Sequence, residues 1–187
     1  MKKLFAMAVA LFTATAMFAQ PEAGTFTLQP KAGIAISSTD ADGTTSKVGF
    51  VGGVEAGYQI CDPFALTLGV NYAQYGAKID NSDIKQNLNY IAIPVLANYY
   101  VLPGLAIKAG VEPAIKVSAN LSNGDASASI SDGVKGVMLS IPVGASYEYK
   151  NVVLDARYNI GVTGLYDIDD SATGSALVLT LGYKFAL

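Results

Sequence analysis

The sequence predicts an all-β fold: an eight-stranded antiparallel up-and-down transmembrane β-barrel, preceded by a cleaved signal peptide. Three observations carry this. The first is alternation. In VVLDARYNIGVT (152–163), Val152, Leu154, Ala156, Tyr158, Ile160 and Val162 are apolar, while Asp155, Arg157, Asn159, Gly161 and Thr163 stand between them. Only an extended strand sends such sets to opposite faces. Here the bulky set suits lipid and the small or ionic set suits a lumen, so the barrel is turned inside out. The second is distribution: 51% of the 187 residues are hydrophobic and 14% charged, yet beyond residue 20 no apolar run approaches the ~18 residues of a spanning helix. The third is rhythm, since eight such segments are joined by connections that are alternately long and short.

The N-terminus reads as a secretory signal. Lys2 and Lys3 give a positive n-region, Leu4 to Phe12 an apolar stretch, and Ala14 to Ala16 or the Ala19/Gln20 junction a small-residue cleavage site. Cleavage after Ala19 assigns 1–19 to the signal peptide and 20–187 to the barrel domain. Losing the two lysine charges takes the net charge from −3 to −5. That balance argues against a nucleic-acid surface, which needs a basic patch. A lone cysteine, Cys61, excludes an internal disulfide.

The first strand covers 26–37, with Phe26, Leu28, Pro30, Ala32, Ile34 and Ile36 outward. The second, 48–60, sends Val48, Phe50, Val54, Ala56, Tyr58 and Ile60 the same way, and Cys61-Asp62-Pro63 turns the chain. The third begins at Phe64 and alternates Leu66, Leu68, Val70 and Tyr72 with Ala65, Thr67, Gly69, Asn71 and Ala73. A polar loop is expected over 77–87. The fourth, 89–101, is apolar on both faces; continuity puts Ile91, Ile93, Val95, Ala97 and Tyr99 outward. Leu102-Pro103-Gly104 is the second short turn. The fifth strand, 105–119, precedes a long loop, 120–133, and the sixth covers 136–149. Lys150-Asn151 turns into the seventh, 152–163, and after a loop the eighth closes the chain with Leu177, Leu179, Leu181, Tyr183 and Phe185 outward. Prolines 30, 113 and 142 fall inside strands, where each demands a bulge or a missing ladder bond.

On this register the lumen receives Lys31, Lys108, Lys116, Arg157 and Lys184 against Glu55, Glu112, Glu148 and Asp155. Nearly balanced signs in a closed space predict a structural ion-pair network, because a buried charge without a partner is costly. An eight-stranded barrel is just wide enough for its own side chains, so the lumen is expected to be plugged. Asp167, Asp169 and Asp170 are the weak candidates for a metal, but they lack the glycine and glutamate spacing of an EF-hand loop and read first as a solvated acidic loop. The absence of histidine removes the commonest general base, the Ser-His-Asp triad and histidine metal sites. No phosphate-binding loop or CxxC appears, so neither catalysis nor a cofactor is expected.

Several blocks resemble the Bacteroidetes outer-membrane β-barrel domain family that includes the PorT-like small outer-membrane proteins. They are Tyr90-Ile91-Ala92-Ile93-Pro94-Val95-Leu96; Gly144-Ala145-Ser146-Tyr147-Glu148-Tyr149 with Ala156-Arg157-Tyr158-Asn159 and Gly161-Val162-Thr163; and the closing Leu181-Gly182-Tyr183-Lys184-Phe185. The resemblance implies an integral outer-membrane protein inserted by the barrel assembly machinery. It implies little about activity; the even strand count and the acidic loops lead instead to the expectations of a monomer, both mature termini in the periplasm, and a role in envelope structure or surface interaction. Two alternatives stand beside this reading, an accessory of a protein secretion system and a soluble lipocalin-like ligand carrier.

Overall fold

The computed structural model describes residues 22–39, 44–79, 84–123, 126–129, 136–163 and 174–187. The expected signal segment 1–19 and the metal candidates Asp167, Asp169 and Asp170 lie outside the described residues. Twelve strand segments form one antiparallel sheet: β1 (Phe26–Thr39), β2 (Thr44–Cys61), β3 (Phe64–Tyr75), β4 (Ala77–Ile79), β5 (Ile84–Ala92), β6 (Val95–Leu102), β7 (Leu105–Asn123), β8 (Ala126–Ser129), β9 (Val137–Tyr149), β10 (Val152–Gly161), β11 (Gly174–Tyr183) and β12 (Phe185–Ala186).

These segments make eight staves. β1 and β2 are the first two, and β3 the third. β5 and β6 together form the fourth, β7 the fifth, β9 the sixth, β10 the seventh, and β11 with β12 the eighth. β11 and β12 pair with β1, which closes the ring. Closure is what a membrane demands, because an open sheet edge in hydrocarbon leaves backbone groups unpaired at several kcal/mol each. The tight turns at 62–63, 103–104 and 150–151 mark the lower end, where Leu187 N–H also donates to the Phe26 carbonyl at 2.9 Å. The upper end is the one where β1 finishes and β2 begins.

The proline expectation resolves in favour of missing rungs. Pro94 interrupts the fourth stave, yet Asn71↔Ala92 above it and Leu68↔Val95 below it keep one register against β3. Pro142 leaves the same kind of gap between Ala109↔Val143 and Glu112↔Ser140. Pro113 leaves one between Ala92↔Ala114 and Val95↔Val111. Pro30 stands opposite the break between β11 and β12. A ring nitrogen cannot donate, so each proline deletes a bond without adding a residue. The real bulge on β7 falls elsewhere, at Val117, where the register shifts between Asn89 and Tyr90. Past it the alternation is reset: Ala119 is buried, and the Ser118 hydroxyl accepts from the Asn89 amide at 2.8 Å.

Two expected loops are partly strand. Residues 77–87 contain β4, which pairs β2, and the start of β5; residues 120–133 contain the end of β7 and β8, which folds back on it. Polar sequences are stable as strands there because a neighbouring stave supplies the ladder, a long-range condition that local composition does not report.

The barrel is inverted relative to a water-soluble one. Val70, Leu154, Tyr158 and Leu181 are each about half exposed on the outside, whereas Lys31, Glu55, Lys108, Asp155 and Arg157 are buried within. A soluble carrier needs the opposite arrangement, so the lipocalin-like alternative falls. The ambiguous fourth strand also finds its reason. Tyr90, Ala92, Pro94, Leu96 and Asn98 face inward and are buried, so this stave supplies much of the lumen's apolar packing while Val95 and Tyr99 remain outside.

Candidate functional site

The lumen is the site, and it is filled in three layers. The lowest is tied by Lys184 of the eighth stave, which forms an ion pair with Glu148 of the sixth and donates to the Tyr100 hydroxyl at 3.3 Å. Tyr100 belongs to the fourth stave, diametrically opposite. Nearby, Gln59 Nε2 donates to the carbonyls of Cys61 and Asp62 at 2.8 and 3.1 Å, tying the first turn to the wall.

The middle layer is ionic. Glu55 on β2 pairs with Lys31 on β1 and, 3.4 Å away, with Lys108 on β7. Lys108 Nζ in turn lies 2.6 Å from Asp155 Oδ2 on β10, and Asp155 Oδ1 lies 2.7 Å from Arg157 Nε. The Arg157 contact has ion-pair distance without hydrogen-bond alignment, and Arg157 Nη1 has no protein hydrogen bond. The chain of charges therefore crosses from the first two staves to the fifth and seventh. Gly144 makes room for it: it stands between Lys108 and Arg157 on the rungs, and a Cβ there would meet Ala156 O at 2.2 Å and Arg157 Cγ at 2.9 Å.

The upper layer is polar and is built around Glu112. Asn159 Nδ2 on β10 donates to Glu112 Oε1 on β7 at 2.7 Å, and the Tyr75 hydroxyl on β3 reaches the same oxygen at 3.4 Å. Asn159 and Tyr75 approach to 3.5 Å from opposite walls. Above them Leu88, Tyr90, Ala114 and Met138 line an apolar cup. Ser37 fixes the end of β3, accepting from Gly76 N–H at 3.0 Å and donating to its carbonyl at 2.8 Å.

Of the nine charged residues expected in the lumen, the structure brings Lys31, Glu55, Lys108, Asp155 and Arg157 together. Glu148 and Lys184 form a separate pair below. Glu112 lies above the ionic layer, and Lys116 is half-buried at the rung opposite Tyr90. Tyr75, Tyr100 and Asn159 also reach across to opposite walls. Parity alone could have found them, since Tyr75 and Tyr100 continue the inward alternation of their strands.

Among the described residues no group of three or more His, Cys, Asp or Glu side chains is placed to hold a metal. The described residues enclose a cavity of about 20 Å³ below the ionic layer and one of about 30 Å³ above it. Each admits a water or two.

A closed ring of eight staves with apolar side chains outside and ions within defines an integral membrane β-barrel. The match of residues 18–167 to the family described as outer membrane protein beta-barrel domain says which: the chain belongs to that family and is a small bacterial outer-membrane barrel. Among solved structures it is similar to Neisserial surface protein A, with 23% identity and a TM-score of 0.60 over 86% of this chain and 97% of that one. It is also similar to Ail, the attachment invasion locus protein of Yersinia pestis, with 19% identity and a TM-score of 0.55 over 87% and 99%. Identities this low speak for the fold alone. Comparison with curated proteins gives no match.

Proposed function

We propose that this protein is a plugged outer-membrane barrel that conducts no bulk solute and catalyses no reaction, serving envelope structure or surface interaction through its upper rim. The observation carrying the reading is the wall-to-wall strapping of the lumen, Lys184–Tyr100 below, Glu55–Lys108–Asp155 in the middle and Tyr75–Asn159 above. Among the described residues the cavities between these layers hold one or two waters each, and opening a path would strand buried charges.

In this reading residues 1–19 are a cleaved signal, the mature chain is inserted as a monomer by the barrel assembly machinery, and both termini face the periplasm with the tight turns. The names of the two similar structures, a surface protein and an attachment invasion locus protein, support a role at the cell surface. The Tyr90 to Leu96 block supports a place near the PorT-like proteins of Bacteroidetes. Planar bilayers test the plug: the purified barrel should add no steady conductance, and porin-like steps would overturn it. A secretion accessory is distinguished by co-purification of secretion components from mild detergent.

A further inference from the structure

The lipid-facing wall of the barrel is not evenly covered. Along β1 the outward side chains run Leu28, Pro30, Ala32 and Ile34, so two small residues lie between two large ones. The rungs beside them repeat the shortage. Ala32 stands opposite Gly52, and Lys31, whose side chain is wholly inside, stands between Gly53 and Gly182. Leu181, Tyr183 and Val152, each about half exposed, rise along one flank. The result is an outer groove of about 460 Å³, against about 20 and 30 Å³ for the luminal cavities.

The groove follows the seam where the ring closes. Leu28↔Phe185 and Lys31↔Gly182 keep one register, yet no pair joins the two rungs between them, and Pro30 has no N–H to offer across the gap. The turn at 150–151 stands at the lower mouth, next to the Val152↔Tyr183 rung. It is fastened to the eighth stave: Lys184 N–H donates to the Asn151 carbonyl at 2.7 Å, and the Asn151 amide donates to the Lys184 carbonyl at 2.8 Å. Lys150 in this turn is exposed, and its ammonium lies 5.6 Å from the centroid of the Tyr149 ring. It enters none of the ion pairs among the described residues.

Position and charge together select the occupant. This wall faces hydrocarbon, so the groove is filled by an acyl chain or by another protein wall. A second copy in the same membrane, related by a two-fold axis, would set groove against groove and Lys150 near Lys150, leaving the hollow unfilled and like charges together. A glycerophospholipid instead brings a phosphate at the level where its chains begin. Lipid tails are as apolar as leucine, so the chain is seated by close packing, contacts that an unfilled groove would forfeit. We propose that the closing seam carries a phospholipid site in the leaflet at the lower end, with one acyl chain lying over Pro30, Ala32 and Gly182 and the phosphodiester paired with Lys150. The bound chain covers the rungs that Pro30 leaves open. The site depends on the barrel standing in a membrane and not on the plugged lumen.

The test is native mass spectrometry of the folded barrel released from detergent micelles, titrated with phosphatidylglycerol and with the diacylglycerol of the same chains. The expected result is one phosphatidylglycerol per barrel at saturation. Lys150→Gln keeps an uncharged side chain in the same turn; it should weaken phosphatidylglycerol about fivefold, the worth of one lysine near an anionic surface, and leave diacylglycerol unchanged. Ala32→Phe fills the groove from the lipid side and should abolish saturable binding of both. Ala97→Phe, at an outward alanine of β6 away from the seam, should change neither. Heat-modifiable migration reports that each variant is folded. Adducts that accumulate without saturating, undiminished binding in folded Ala32→Phe, equal losses from Ala97→Phe, or a dimer that Ala32→Phe dissociates would overturn the proposal.

Discussion

Neutralising Glu55 offers the sharpest examination of the ionic layer. Glu55→Gln keeps the shape of the side chain and removes one charge that serves two lysines. Lys108 retains Asp155 at 2.6 Å, but Lys31, whose side chain has no exposed surface, loses its ion-pair partner. Breaking a buried pair from one side leaves an uncompensated charge and costs about 3–5 kcal/mol. Replacing both members with neutral groups of similar volume costs far less, because no charge is left stranded. Lys31→Met added to Glu55→Gln should therefore recover about 2–3 kcal/mol of the loss, a coupling within the range expected of side chains in one network. Urea unfolding in micelles measures this, followed by far-UV circular dichroism and heat-modifiable migration, since the chain has no tryptophan to report. If Glu55→Gln cost under about 1 kcal/mol, as an exposed pair would, or if the double variant cost the sum of the singles, the layer would not hold the lumen together as argued.

Other perturbations probe different parts of the wall. Lys184→Ala strands Glu148, whose side chain is only 9% exposed, so it should cost about 3 kcal/mol, read as a fall in the urea midpoint. Gly144→Ala forces a methyl group against the Ala156 carbonyl and Arg157; it should lower stability by about 1–3 kcal/mol, read as a fall in the urea midpoint with unchanged slope. Val70→Arg, at a position 55% exposed in the middle of β3, should destabilise the barrel in bilayers by about 2–4 kcal/mol and much less in small micelles. Lys150 holds φ +56° in the last tight turn, so Lys150→Gly should stabilise by about 1 kcal/mol, seen as slower unfolding.

How much was legible varied with the range of the interaction. In β10, Val152, Leu154, Tyr158 and Ile160 are outside and Val153, Asp155, Arg157 and Asn159 inside, because parity along a strand is a local property that successive residues state directly. Strand ends were less legible. Whether 84–88 or 120–123 is loop or strand depends on a partner stave tens of residues away, and polar composition outweighed that partner in the reading of the sequence. The bulge at Val117 is likewise invisible along the chain, since it exists only relative to β5.

The candidate site divides the same way. That nine charged residues share the inner face follows from parity, but parity says nothing about height along the barrel axis. Height is set by tilt and register, which put Glu55 beside Lys108 and leave Lys116 on a higher rung.

By itself the sequence determined the class of the molecule, which residues meet lipid and which meet the lumen, and where the tight turns fall, because each is written in the order of neighbouring residues. Only the tertiary structure decided which charges pair, which hydroxyls bridge opposite walls, and that Glu112 accepts from the Asn159 amide and the Tyr75 hydroxyl rather than from a lysine. Those outcomes depend on closing the sheet, which brings together side chains the chain itself keeps far apart.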